Sequence, residues 1–195
     1  MTYLNTNYEW KVEIVAINQH DQQVFQEALY SANQGNVDAM AKVGEYYKEG
    51  IGVVKNYEEA VKWLTIASEY GNPHAQWRLG FLYEYGEGVE KDEDRALQLY
   101  MSSAQQNVPE GQYYVGELLQ KRRKKDEAAE FFRLAAPYYG PAAFQLTQYL
   151  IFDKYRANEP IDVEEAQKWA RTTYQLSIRD KDYFTLRFLY KSSPQ

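Results

Sequence analysis

Residues 37–72 and 73–108 are two copies of one pattern, set 36 residues apart with no gap. Ala39 pairs with Ala75, Gly44 with Gly80, Tyr47 with Tyr83, Gly50 with Gly86, Gly52 with Gly88, Val53 with Val89, Lys55 with Lys91 and Ala60 with Ala96. A fixed period in the thirties marks a solenoid of stacked helix pairs, because each unit carries an apolar face that only its neighbour can cover. The fold class follows: all-α, an α-α solenoid. Its bearing on function is indirect, since such a stack offers a long surface for binding without naming what binds.

The register extends in both directions. Gly35-Asn36 stands 36 residues before Gly71-Asn72, a good helix stop, so 21–36 reads as the second helix of a half repeat. A third repeat, 109–140, opens with Pro109 and keeps its glycine at Gly116; its inter-helix turn is about four residues shorter, with KRRKKDE at 121–127 in place of the two-glycine loop. Ala128, Phe131, Phe132 and Ala135 then match Ala60, Trp63, Leu64 and Ala67. A fourth repeat, 141–176, is degenerate: Thr147 replaces the glycine, and a longer turn over about 153–161 contains Asn158-Glu159-Pro160. Residues 180–190 read as a capping helix, because a repeat array needs an atypical end. The solenoid as a whole takes 21–195. Residues 1–20 fall outside the pattern. There Tyr8, Trp10, Val12 and Ile14 alternate with Glu9, Lys11 and Glu13, the period of a strand. This extension packs on the first helices, pairs with another strand or forms a mobile arm.

Local chemistry agrees with paired helices. In repeat one the first helix is expected over about Val37–Lys48 and the second over about Tyr57–Tyr70. Asn56 and Asp92 are placed as N-caps, and Glu59 after Asn56 and Glu165 after Asp162 suit capping boxes. Pro73 suits a first helical turn. Glycine inside a helix costs about 1 kcal/mol against alanine, so its return at 44, 80 and 116 predicts a close helix contact, with Ala60 and Ala96 as the expected neighbours. Gly50, Gly52, Gly86 and Gly88 supply left-handed backbone where the first helices end.

Ala75, Leu79, Gly80 and Tyr83, then Gly86, Gly88, Val89 and Asp92, then Ala96, resemble the pattern of Sel1-like repeats, relatives of the tetratricopeptide repeat. The resemblance covers 21–190 and is most specific over 37–108. It implies a right-handed superhelix of antiparallel α-helices that acts as an adaptor for protein complexes, with the first helices lining the concave surface. Some bacterial members serve as immunity proteins. Others are cysteine-rich, secreted and reported to bind penicillins, and this chain departs from them in having no cysteine.

Composition narrows the classes further. Without cysteine there is no disulfide framework and no thiolate metal site, which fits a reducing compartment. A net charge of −6 argues against nucleic acid as a partner. No apolar run spans a membrane, and the first residues lack the basic start and apolar core of a signal peptide, so a cytoplasmic protein is expected.

Catalytic signatures are not visible. His20 and His74 stand apart, and neither has metal-ligand spacing; S-x-x-K and G-x-S-x-G do not occur. The G-x-G pairs follow a helix rather than a strand and recur with the repeat, so they read as structural. Carboxylate pairs such as Glu58-Glu59 and Glu164-Glu165 lie at helix starts, where they complement the macrodipole. No catalytic residue, metal ligand or cofactor is predicted.

Two features remain. Trp77, Tyr113 and Phe144 occupy equivalent positions and, with Phe81 one turn on from Trp77, should form a stripe across stacked first helices, with Arg78 and Tyr114 beside it. Such residues dominate recognition hot spots; the same stripe would instead be core if both faces of these helices pack. Trp77 is expected to be its most exposed member. The run Lys121, Arg122, Arg123, Lys124, Lys125 is either a contact for an acidic or phosphate-bearing partner or a solvated turn whose cations favour the preceding helix end. The reading that follows is a non-enzymatic interaction module holding a protein or peptide in its concave groove, as a monomer or weak homo-oligomer. An immunity protein neutralising a toxin is the sharper alternative. A small-molecule hydrolase of the penicillin-binding type is disfavoured.

Overall fold

The computed structural model describes residues 19–179. The strand expected at Tyr8–Ile14 and the capping helix expected at 180–190 lie outside the described residues. Within them the chain is helical: α1 (Gln19–Asn33), α2 (Val37–Glu49), α3 (Tyr57–Glu69), α4 (Pro73–Tyr85), α5 (Glu93–Ala104), α6 (Pro109–Lys121), α7 (Lys125–Ala135), α8 (Gly140–Gln148), a π-helical turn (Tyr149–Asp153), α9 (Lys154–Arg156) and α10 (Val163–Arg179). Consecutive helices pack on one another from α1 to α8, and α10 closes on α8. The α-helical solenoid read from the repeat is the observed fold.

The helix starts follow their caps. Asn36, Asn56 and Asn72 each accept the N–H three residues on, and Asp92 accepts those of Asp94 and Arg95. The capping boxes form by half. The side chain of Glu59 bonds Lys62 instead of returning to the cap, and Glu165, whose N–H bonds Asp162, accepts Arg133 and the Trp169 indole N–H with its carboxylate.

The helical glycines make the expected close approach, but to different neighbours. A Cβ on Gly44 would stand 2.6 Å from Leu64 Cγ, one on Gly80 2.8 Å from Tyr100 Cε1, and one on Gly116 2.5 Å from Phe132 Cε1. The space is filled by the large side chain one turn beyond each alanine; Ala60 and Ala96 contribute only a carbonyl oxygen, at 3.3 and 3.2 Å. Where Thr147 replaces the glycine, the position equivalent to Leu64 is Ala170, so the bulk has changed sides.

The two-glycine loops also stack the repeats. Gly50 and Gly86 are left-handed C-caps, at φ 77° and 72°. Gly52 and Gly88 are left-handed as well, and press on the previous unit: a Cβ on Gly88 would lie 2.4 Å from the carbonyl carbon of Tyr57, and one on Gly52 2.0 Å from the carbonyl oxygen of Asp21.

Repeats three and four depart from expectation at their turns. The basic run is divided: Lys121 ends α6, Lys125 opens α7, and Arg123 closes the short turn with φ 63°. In repeat four the first helix does not stop at 153. It continues through the π turn to Arg156, and Asn158 at φ 56° ends it. The Thr147 hydroxyl donates to the Ala143 carbonyl at 2.8 Å just before the π turn, the kind of competing bond that disturbs an i→i−4 ladder.

The core is a small-residue spine of Ala60, Ala96, Ala128 and Ala166 flanked by Val43, Leu64, Leu79, Leu82, Tyr100, Leu118, Phe132 and Leu146. Tyr83 packs against both its halves. First helices touch across repeats, α2 with α4 and α4 with α6, whereas successive second helices scarcely meet. The stack therefore curves with α2, α4 and α6 on its inner side.

Candidate inner binding surface

The inner side is joined by one recurring pair of positions. Glu45 of α2 bonds Arg78 of α4 at 2.9 Å; Phe81 of α4 meets Tyr114 of α6 edge to face, centroids 6.1 Å apart; Glu117 of α6 accepts from Gln145 of α8 at 2.8 Å. These are equivalent positions in successive repeats, so the same junction is polar, then aromatic, then polar.

Rings fill the middle junction. Trp77 stacks on Tyr114 at 5.5 Å and 20°, and Tyr114 stacks on the buried Tyr100 at 5.1 Å and 15°. Tyr113 meets Tyr114, Phe132 and Tyr139 at 5.3, 5.8 and 5.1 Å. Trp77, Arg78, Phe81, Tyr113, Tyr114 and Phe144 are all half-buried. The stripe is thus neither wholly exposed nor wholly core: its rings pack on one another between repeats and keep part of their surface accessible. Trp77, expected to be the most exposed, has its indole N–H enclosed and without an acceptor.

Three cations sit over three rings of α4: Arg78 over Trp77 at 4.4 Å, Lys48 over Phe81 at 4.8 Å and Lys121 over Tyr85 at 5.1 Å. The rings are spaced i, i+4, i+8 and so share one helix face. Each cation also has a carboxylate: Glu45 for Arg78, Glu49 for Lys48 and Glu84 for Lys121.

Glu84 is the unusual member. It is 3% exposed and accepts the Tyr100 hydroxyl at 2.8 Å as well as the Lys121 ammonium. A buried phenol needs a partner, and Tyr100 stands where the other repeats have Leu64 and Phe132. Burial, then the charge and hydrogen bond of Glu84, push the Tyr100 hydroxyl above its ordinary range. Burial likewise raises Glu117, although Tyr113 and Gln145 hydrogen-bond it and Lys121 attracts it. For Lys121 burial works against the charge, but the Glu84 carboxylate outweighs it and the ammonium is held above its usual value. Glu84, Tyr85, Tyr100 and Glu117 were not singled out in the sequence. A tyrosine at a core position filled elsewhere by leucine and phenylalanine was the available signal.

Of the residues expected to contact a partner, the structure brings together Trp77, Arg78, Phe81, Tyr113, Tyr114 and Lys121. It sets Arg122 and Arg123 apart at the edge of the stack. Arg122 pairs with Asp94 in the first turn of α5 at 2.7 Å, and Lys124 and Lys125 pair with Glu127 and Asp153. The basic run is therefore largely neutralised within the chain rather than presented as one patch. Phe144 lies one repeat further on, on α8. Between α2 and α4 a depression of about 440 Å³ is lined by Asp38, Lys42, Glu45, His74 and Arg78, among others. Among the described residues no group of three or more His, Cys, Asp or Glu could hold a metal ion, and no helix is long and apolar enough to cross a membrane.

The family model of the Sel1 repeat matches residues 37–72, 73–108 and 109–136. No curated protein matches in sequence. Among solved structures the chain is similar to a Sel1 repeat protein from Oxalobacter formigenes (TM-score 0.71, 23% identity, 80% of this chain and 64% of that one). It is also similar to a protective antigen present in uropathogenic Escherichia coli strains that displays an SLR fold (0.69, 21%, 89% and 38%). An immunity protein from Pseudomonas aeruginosa shares the fold more loosely (0.51, 18%, 80% and 73%). The chain thus spans less than two thirds of the length of the first two proteins.

Proposed function

The chain belongs to the Sel1 repeat family, and we propose that it is a non-enzymatic binding module that holds a protein or peptide partner on the inner surface of α2, α4 and α6. The half-buried aromatic seam carries this reading. Trp77, Phe81 and Tyr114 are fixed by their ring contacts and keep part of their surface accessible, which supports this reading. A preformed aromatic surface binds with little ordering cost, and aromatic and arginine side chains dominate hot spots.

The test compares variants on the two sides of the stack. A partner is isolated with the wild-type chain and its affinity measured for Trp77→Ala, Arg78→Ala and, as a control on a second helix, Leu134→Ala of α7, each checked by circular dichroism. Loss with the first two alone supports the groove. Loss with Leu134→Ala alone moves the interface to the second helices, where Leu134 of α7 is exposed.

A sharper reading is that the partner is a toxin and this chain its immunity protein. It rests on the fold shared with the Pseudomonas immunity protein, together with the acidity of the chain. Co-expression with a toxin encoded beside the gene tests it: survival that depends on this chain supports the reading, and unchanged killing removes it.

A further inference from the structure

The inner seam has an uneven charge balance. Arg78 and Lys48 each face a carboxylate, Glu45 and Glu49. At the other end of the α4 stripe, one ammonium serves two carboxylates. Lys121 bonds Glu84 and, one turn along α6, also attracts Glu117, on which Glu84 acts as a like charge. That end is open, with Tyr85 53% exposed and the Lys121 side chain 48% exposed. Every ring of the α4 stripe already holds a cation over its face, which is what the negative face of an aromatic ring favours. The surplus is one negative charge, walled by tyrosines, on a chain whose net charge is −6.

We propose that the Tyr85 end of the seam, where Glu84 and Glu117 face Lys121, takes a cationic side chain, arginine or lysine, from the protein segment bound in the groove. The inference rests on the groove reading above and adds the partner's chemistry. Glu117 already accepts from Gln145 and Tyr113 but shares the Lys121 ammonium with Glu84, so an incoming cation gives it a countercharge and leaves the Glu84–Lys121 pair intact. An incoming carboxylate would have to draw Lys121 away from Glu84, a buried group that would keep only the Tyr100 hydroxyl, and leaving a buried charge underpaired is costly.

The probe is three fluorescein-labelled random octapeptide pools with a fixed central arginine, glutamine or glutamate, titrated against the intact chain by anisotropy. The arginine pool is expected to bind about tenfold more tightly than the glutamine pool, a typical worth for one charge-assisted contact, and the glutamate pool more weakly still. Glu117→Gln should abolish the arginine preference, and Tyr85→Ala, at an exposed ring, should reduce it. Equal or tighter binding of the glutamate pool, an arginine preference untouched by Glu117→Gln, or no binding by any pool overturns the proposal. Glutamate-pool binding that is lost with Arg78→Ala would sink this inference and keep the groove; binding sensitive only to Leu134→Ala would sink both.

Discussion

Gly111 on α6 lies so close to Ser103 on α5 that a Cβ built on it would stand 2.4 Å from the serine Oγ. One repeat earlier the equivalent positions are Ala67 and Ala75, both fully buried. The same contact is thus made once by two alanines and once by a serine against a glycine, a swap that roughly conserves volume. Ser103 is itself fully buried and its hydroxyl has no partner.

Gly111→Ala alone should therefore destabilise by about 1–3 kcal/mol, the usual cost of overpacking. Ser103→Ala alone should be close to neutral, since it removes an unpartnered hydroxyl. The double variant, which restores the pairing of the preceding repeat, should recover most of the loss. Chemical denaturation of all four proteins closes the cycle, and additive effects would show that the two sites do not share the space.

Gly86 and Gly88 separate conformation from contact. Both are left-handed, but a Cβ on Gly86 would meet Lys91 Cβ at 3.2 Å, whereas one on Gly88 would meet the Tyr57 backbone at 2.4 Å. Asparagine tolerates the left-handed region. Gly86→Asn should cost about 1 kcal/mol or less, and Gly88→Asn about 3 kcal/mol or more, because backbone cannot step aside. Thermal melts of the two variants check the order.

The parts legible in the sequence were those that recur. The period, the caps at Asn56 and Asp92 and the helical glycines each appear more than once, so one copy predicts another. The partners of those glycines do not recur in identity: Leu64, Tyr100 and Phe132 fill the space by shape, while the recurring alanines Ala60 and Ala96 supply only a carbonyl oxygen. Glu84 escaped for the same reason. Its equivalents are Lys48 and Gln120, so no periodicity points to it. The basic run was visible as composition, but its neutralisation by Glu84, Asp94, Glu127 and Asp153 is a matter of three-dimensional placement.

Glu117 gives a pH dependence of known sign. Burial holds its carboxyl above the ordinary value, so the folded chain keeps this proton more tightly than the unfolded chain does. The folded state then loses stability relative to the unfolded one as pH rises through the ordinary and the raised value, and carries the deficit above them. In Glu117→Gln that loss is absent. The difference in melting temperature, variant minus wild type, should increase as pH rises from the ordinary glutamate range of about 4, by a few degrees at most. A flat or falling difference would contradict it.

Tyr100 and Glu84 should behave as one unit. Tyr100→Phe leaves the buried carboxylate with Lys121 alone, and removing a donor from a buried acceptor costs about 1–3 kcal/mol. Repeat three already carries another answer at these positions, Phe132 with Gln120. Transplanting it as Tyr100→Phe/Glu84→Gln removes the charge together with the donor it needed. Lys121, half exposed, then turns to solvent at little cost, as surface ammonium groups do. The double variant should unfold at a denaturant concentration closer to wild type than Tyr100→Phe does, read from the midpoints of urea transitions with equal slopes. If instead it is the weaker of the two, Glu84 stabilises the stack through Lys121 independently of Tyr100, and the bridge between α4 and α6 rather than the buried phenol is what the carboxylate serves.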